Sequence, residues 1–424
     1  MKINRDKYSL LYLISAAEMI IFLLLMPLMG REPSDTVTYF SAFDTLCSGR
    51  LDSFRTPLYP LFIGSLRAVL GSAPGRICAV MIQIFVFLCS ISWFRKLAES
   101  FLSNHTVAFW LTAIYALYPG PLTLNSCLLT ESFAFSGMTA LLWLTYKAYA
   151  RADIKAAWGA VGVLLLLIFL RPAFIFLPIV VGFFWLIAVF CKQSRHTALI
   201  SIAGAAISIV ALGLYSLEIK RLYNVMAPST VSSCNNYFTI RGANLVTPSP
   251  STPNPRLKAS IDSILSVRLM PGTIDETWTE IQSLRRAASL TDVADYVSQT
   301  MASAPKECMK FILTERLAQA LRDDATYGGY VLPPVRALTK LFAPNIGAAM
   351  ALLLIFCIIA SRRDLRKHKF SFLNWLMASL ALAIISTSII GAQNEWQRLI
   401  LPAYPILLLI LGSVFIAAAR KIQN

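Results

Sequence analysis

The sequence predicts an all-α polytopic membrane protein of about ten transmembrane helices, with outer-face juxtamembrane helices and a small helical loop domain. Three observations predict this class. Hydrophobic residues fill 57% of the 424 positions and charged residues only 14%, against about 25% charged in an average soluble domain. Such a chain lacks the polar surface to coat a water-soluble fold. The apolar residues also come in blocks, at 10–29, 161–170, 175–191 and 399–419, each reading as all or part of a span of about 20 residues. Finally, the basic residues gather in alternate short loops.

In chain order, spans are expected at 8–30, 76–94, 106–122, 127–146, 156–170, 173–191, 197–216, 337–360, 371–391 and 399–419. The first lacks a small-x-small cleavage site and precedes many others, so it reads as an uncleaved span rather than a signal peptide. With the N-terminus inside, the short inner segments carry 17 basic residues and the short outer segments seven. That bias puts both termini in the cytoplasm of a bacterial plasma (inner) membrane and the long loop outside. It also accounts for most of the formal charge of +16, as an orientation signal with affinity for anionic headgroups. Nucleic acid is not the expected partner.

The expected organisation is an N-terminal transmembrane module (1–216), a mostly helical periplasmic loop (217–336) and a C-terminal transmembrane module (337–424). Residues 57–70 are apolar but too few to span, so they are expected to lie along the outer surface as an interfacial helix. This choice leaves one long outer loop, 31–75. Within it Ser34 is a candidate N-cap, and Asp35 and Asp44 share a short helix ending near Gly49. In the second loop a Ser/Thr/Pro/Asn-rich tract (246–255) is expected to be irregular, followed by helices near 256–268, 275–288, 291–303 and 306–322. No repeat, glycine-rich phosphate loop or nucleotide fingerprint is present.

The eight cysteines form no framework. Most lie in or beside apolar runs, and Cys47, Cys234 and Cys308 fall in outer loops where a disulfide is allowed but not assignable. A metal site built from three histidines and scattered cysteines is not expected. A divalent metal held by carboxylates stays open as a cofactor.

Ionisable groups at membrane depth are costly and invite a functional reading. Asp35 and Asp44, Glu131, Arg171, and Glu395 with Arg398 all fall on the outer side. An outer-facing enzyme has no nucleotide sugar available, so an activated group must arrive on a lipid. A polyprenyl-phosphate sugar carries its own leaving group. Its transfer needs a carboxylate to take the acceptor proton and cations to hold the departing phosphate. Asp35 is the candidate base, and Arg55, Arg171 and Arg398 are candidate phosphate clamps. A single displacement of this kind inverts the anomeric carbon. Each residue also has a structural reading: Asp35 as a first-turn residue favouring the helix dipole, Glu131 as a cap, and Arg171 and Arg398 as snorkelling anchors. Glu18, inside the first span, has no partner the sequence can name.

At these residues the sequence resembles the GT-C superfamily of membrane glycosyltransferases, in its bacterial protein-mannosyltransferase-like and aminoarabinose-transferase-like branch. The resemblance rests on pieces in order: Ser34–Asp35 with Tyr39 and Gly49; the R-x-P-L-Y-P-L element at 55–61, containing Tyr59; Tyr118–Pro119 and Thr130–Glu131; Arg171–Pro172; and Arg398 with Pro402. It implies Asp35 as catalytic base or acceptor-positioning acid and Glu131 as a second acid near the carrier phosphate. Arg55, Tyr59, Arg171, Glu395, Arg398 and Asp44 are then candidate substrate-binding residues, with the long loop covering the site. The implied partners are a polyprenyl-phosphate-sugar donor, a glycan, lipid or protein acceptor, and the bilayer. Two alternatives compete. A lipid-linked glycan polymerase or ligase would share the outer site but favour arginines over a base. A flippase or transporter would show repeats and mid-membrane charges.

Overall fold

A computed structural model describes residues 5–25, 34–190, 195–247, 252–322, 345–367, 371–393 and 396–422, which are helix, turn or coil with no strand among them. Six helical segments among these residues are long and apolar enough to cross a bilayer: Ser72–Phe101, Pro172–Phe190, Arg195–Tyr223, Ile346–Arg366, Phe372–Gly391 and Arg398–Arg420. The chain is an all-α, multi-pass membrane protein.

Helix α1 (Arg5–Leu25) lies along α4 (Ser72–Phe101) and α5 (His105–Leu117). Between α1 and α4 run two short helices, α2 (Ser34–Cys47) and α3 (Leu58–Leu70). α2 ends as expected, with Gly49 at φ +78° beyond its last turn, a left-handed conformation that glycine adopts at little cost. α3 is the interfacial helix read from 57–70. It buries Tyr59 and Ile63 and leaves Leu61, Val69 and Leu70 exposed. Its Gly64 lets Phe43 of α2 lie directly on the backbone, because a Cβ there would come within 2.0 Å of the Phe43 ring.

The expected span at 106–122 is divided. α5 stops at Leu117, and Pro119 and Pro121 start the one-and-a-half-turn α6 (Pro119–Asn125), since proline cannot continue the i→i−4 ladder. α7 (Glu131–Arg151) begins at Glu131, later than the expected 127. α7 is richer in Ser and Thr than a lipid-facing helix because neighbouring helices cover it. Glu131, Ser132, Ser136, Thr139 and Thr145 are all buried, and small polar residues let helices approach closely. One such contact is a relay in which the Tyr115 hydroxyl meets Ser90 at 2.7 Å and Thr139 at 2.9 Å. α8 (Ile154–Leu170) follows a tight turn in which Asp153 caps Ala156 N at 3.0 Å and pairs with Lys147 at 2.7 Å. α9 (Leu177–Phe190) and α10 (Arg195–Tyr223) complete this module, and Gly204 of α10 admits Val161 of α8.

α10 continues past the expected end at 216 and carries the chain into the loop domain. There α11 (Val231–Gly242), α12 (Pro255–Val267), α13 (Ile274–Ala287), α14 (Leu290–Ser303), α15 (Pro305–Phe311), a π-helical turn (Ile312–Arg316) and α16 (Leu317–Arg322) surround a separate apolar core that includes Tyr237, Leu257, Ile261, Leu284 and Val297. The four expected helices are present with their caps. Asn254 caps α12, with Pro255 at its first position, and capping boxes start α13 (Thr273, Glu276) and α14 (Ser289, Asp292). The C-terminal module comprises α17 (Ile346–Lys367), α18 (Phe372–Gly391), the short α19 (Trp396–Ile400), a 3-10 turn and α20 (Tyr404–Ile422). Cys47, Cys234 and Cys308 are free thiols.

Candidate active site

The site lies where α2, the 51–56 turn, the start of α7, the α8–α9 turn and α19 meet. Asp52 builds the turn: its Oδ1 accepts Phe54 N at 2.8 Å and Arg55 N at 2.6 Å, an Asx-type arrangement. Arg55 is thereby aimed at the first turn of α2. Its Nη2 donates to Asp35 Oδ1 at 2.5 Å, and its Nε donates to Thr38 Oγ1 at 2.8 Å. The guanidinium lies 4.5 Å from the Tyr39 ring centroid and 4.9 Å from that of Phe54, within cation–π range.

Tyr39 rests edge-on against Tyr59 at 4.8 Å. The buried Tyr59 hydroxyl donates to Gln83 Oε1 at 2.7 Å, and Gln83 Nε2 donates to the carbonyls of Asn125 (3.0 Å) and Cys127 (2.9 Å). Thr36 of α2 donates to the carbonyl of Leu128 at 3.1 Å. The turn that presents Glu131 is therefore held from α3, α4 and α2 together. Glu131 Oε1 lies 3.5 Å from Arg171 Nη1 and 3.4 Å from Arg398 Nε. Arg398 also reaches back, its Nη1 and Nη2 both 3.4 Å from Asp35 Oδ2.

Five predicted residues thus form one continuous ionic chain, Arg55–Asp35–Arg398–Glu131–Arg171. Its side chains range from 2% exposed at Glu131 to 29% at Asp35, so Asp35 is its most accessible member. Burial works to raise the Asp35 carboxyl, but the charges of Arg55 and Arg398 outweigh it and hold the group below the ordinary carboxylate range. Tyr59 belongs to the support of this cluster. Asp44 is placed apart from it, near the other end of α2, where it pairs with Arg67 and is largely exposed. Glu395 lies outside the described residues. Buried Glu18 Oε2 has no hydrogen-bond partner among the described residues.

Asp35 and Glu131 are bridged by a guanidinium, and among the described residues no group of three or more His, Cys, Asp or Glu side chains gathers to hold an ion. Thr38, Gln83 and Thr36, which orient the charged groups, were not singled out from sequence. Gln83 carried a usable signal, a primary amide inside a 30-residue apolar helix.

The loop domain grips two of the segments that carry the arginines. Thr230 N donates to the carbonyl of Ser53 at 2.8 Å, Ser229 Oγ to that of Phe54 at 2.7 Å, and Tyr223 Oη to that of Leu51 at 2.7 Å. On the other side, Gln393 Nε2 donates to Asn235 Oδ1 at 3.2 Å and Arg316 Nη1 to the carbonyl of Ile390 at 2.8 Å. Arg316 is buried in the π-helical turn, and desolvation lowers its pKa to about 10.

No protein-family model matches the sequence, and no curated protein matches it. Solved structures do. The Archaeoglobus fulgidus oligosaccharyltransferase AglB, in complex with an inhibitory peptide and a dolichol-phosphate, superposes with a TM-score of 0.53 at 12% identity, covering 99% of this chain and 52% of that one. The Archaeoglobus fulgidus oligosaccharyltransferase tethered to an acceptor peptide with an NVT sequon superposes at 0.52 and 11% identity, covering 98% and 50%. The chain spans about half the length of these structures, and the likeness is one of fold. The expectation from the sequence motifs holds at the level of fold, which the chain shares with these two oligosaccharyltransferases.

Proposed function

We propose that this protein is a membrane glycosyltransferase that moves a sugar from a polyprenyl-phosphate carrier to a hydroxyl acceptor on the outer face of a bacterial inner membrane, with inversion. The observation that carries the reading is the ionic chain: three guanidiniums arranged around two carboxylates, most accessible at Asp35. Among the described residues, three cations face two anions, and a phosphate entering the cluster meets this positive charge. Guanidiniums suit this task because they present fixed, paired donors to phosphate oxygens.

In the reaction the bond from the anomeric carbon to the phosphate oxygen breaks, and its electron pair stays on the phosphate, held by Arg171 and Arg398. The acceptor oxygen bonds to the anomeric carbon from the opposite face and its proton passes to Asp35. A carboxylate held below its ordinary range is a weak base. It therefore accepts the proton late, once the acceptor oxygen has bonded to carbon and become strongly acidic. Drawing Arg398 toward an incoming phosphate removes one of the charges that depress Asp35, which strengthens the base when the donor is bound. Glu131 holds Arg171 and Arg398 at the phosphate side.

One observation favours a second reading, a ligase or polymerase for lipid-linked glycans. Arginines outnumber carboxylates around an ion-paired Asp35, and a pyrophosphate leaving group would use the cations more than the base.

The test is transfer from a radiolabelled polyprenyl-phosphate sugar by membranes holding equal amounts of wild type, Asp35→Ala or Glu131→Ala. Transfer by wild type that collapses in Asp35→Ala is the expected result. Undiminished transfer in Asp35→Ala sinks the proposed mechanism, and transfer only from a pyrophosphate-linked glycan selects the second reading.

A further inference from the structure

At the far end of the bundle, α4 and α7 border an open pocket of about 430 Å³ lined by Lys96, Glu99, Ser100, Trp143, Lys147 and Arg151. Its depth follows from helix geometry. Lys147 comes 16 residues after Glu131 on the same unbroken helix, about 24 Å at 1.5 Å per residue. That distance approaches the thickness of the hydrocarbon core, about 30 Å. If the Asp35 cluster sits at one membrane interface, this pocket sits at the other.

The lining is cationic in a particular way. Lys147 is engaged by Asp153 at 2.7 Å. Glu99 hydrogen-bonds Tyr8, whose ring carries the Arg95 guanidinium at 4.7 Å. Lys96 and Arg151 are exposed and have no acidic partner among the described residues. The Arg151 guanidinium stands 5.7 Å from the Trp143 ring centroid, and Trp143 stacks on Tyr146 at 5.9 Å. The pocket thus combines two unengaged cations with an aromatic wall at headgroup depth, where Trp and Tyr side chains concentrate. A charge that served only to orient the chain would need no pocket.

We propose that this pocket binds the phosphodiester headgroup of an anionic phospholipid, in the leaflet opposite the Asp35 cluster. Lys96 and Arg151 hold the phosphate, the Trp143 ring steadies the Arg151 guanidinium, and Glu99 and Ser100 accept hydrogen bonds from headgroup hydroxyls. Basic pockets between transmembrane helices are suited to such headgroups. The site stands independently of the transfer chemistry, at the other end of the same helices.

The experiment is native mass spectrometry of the full chain in detergent, titrated with phosphatidylglycerol or phosphatidylcholine. Wild type is expected to retain one phosphatidylglycerol in preference to phosphatidylcholine. Lys96→Gln/Arg151→Gln should weaken that retention about thirtyfold, as expected for two headgroup-level cations. Arg362→Gln/Arg363→Gln, on α17, should leave it unchanged. The exposed Lys96→Glu gives a second form of the test if the double variant does not fold. Equal retention of both lipids, loss of retention in the α17 variant to the same degree, or displacement of the lipid by inorganic phosphate would each overturn the proposal.

Discussion

Two buried arginine sites in this molecule handle their charge in opposite ways. In the loop domain, Arg241 is almost fully enclosed and satisfied. Its Nε donates to Glu280 at 3.0 Å, Nη1 to the carbonyl of Leu269 at 2.8 Å, and Nη2 to those of Arg268 and Met270 at 2.8 and 3.2 Å. Tyr237 donates to the same Glu280 at 3.0 Å. At the bundle end, Arg171 meets Glu131 only at 3.5 Å, beyond the usual range of charge-assisted hydrogen bonds, about 2.7–2.9 Å. The first arrangement is complete. The second places the Arg171 guanidinium close enough to attract Glu131 but too far for a full hydrogen bond. Burial of charge alone therefore does not identify a site; incomplete engagement of buried donors does.

The sharpest way to break this comparison is to truncate the structural arginine. Arg241→Ala leaves Glu280 buried without its cation, which should cost about 3–5 kcal/mol and make the loop domain protease-sensitive. Limited proteolysis and thermal unfolding measure this, and an unchanged melting curve would show that Arg241 is not the structural partner described. A smaller effect is expected at Tyr59, whose hydroxyl supports the Glu131 turn through Gln83. Tyr59→Phe should lower stability by about 1 kcal/mol and reduce transfer without abolishing it, as read from unfolding and kinetics side by side.

The smallest effect is one of pH. Asp35 is depressed in the folded chain, so its ion pairs contribute fully above the ordinary carboxylate pKa, about 3.9. That contribution is lost only as pH falls through the lower folded value. Stability should therefore be insensitive to Asp35 from neutral pH down to about 4. Arg55→Gln removes the largest attractive charge and should move the acid loss to higher pH, which thermal unfolding against pH will detect.

Much of the site was legible because a charged residue in an apolar chain is conspicuous. Asp35, Arg55, Glu131, Arg171 and Arg398 could be named for that reason, and the structure brings them together although Asp35 and Arg398 are 363 positions apart. What stayed illegible was uncharged or geometric. Thr38 and Gln83 look like ordinary loop and span residues until their partners are placed. Asp44 reads like Asp35 in sequence, but it lies nine residues further along α2, about 13 Å away along the axis, and turns to Arg67 instead. The loop helices were readable from amphipathic spacing and caps, which are local. The division at Pro119 and the polar character of α7 depend on neighbouring helices, which a linear reading of hydropathy does not contain.

The central claim, that the loosely engaged Arg171 guanidinium grips the carrier phosphate, is tested most directly by binding of a polyprenyl phosphate without sugar to the purified chain. Wild type is compared with Arg171→Gln, in which Arg398 still faces Glu131, with melting temperatures measured alongside. The account predicts binding weakened about tenfold to a hundredfold, in line with the loss of one charge-assisted contact. Equal affinity in the two proteins would contradict it and return Arg171 to the role of a structural anchor.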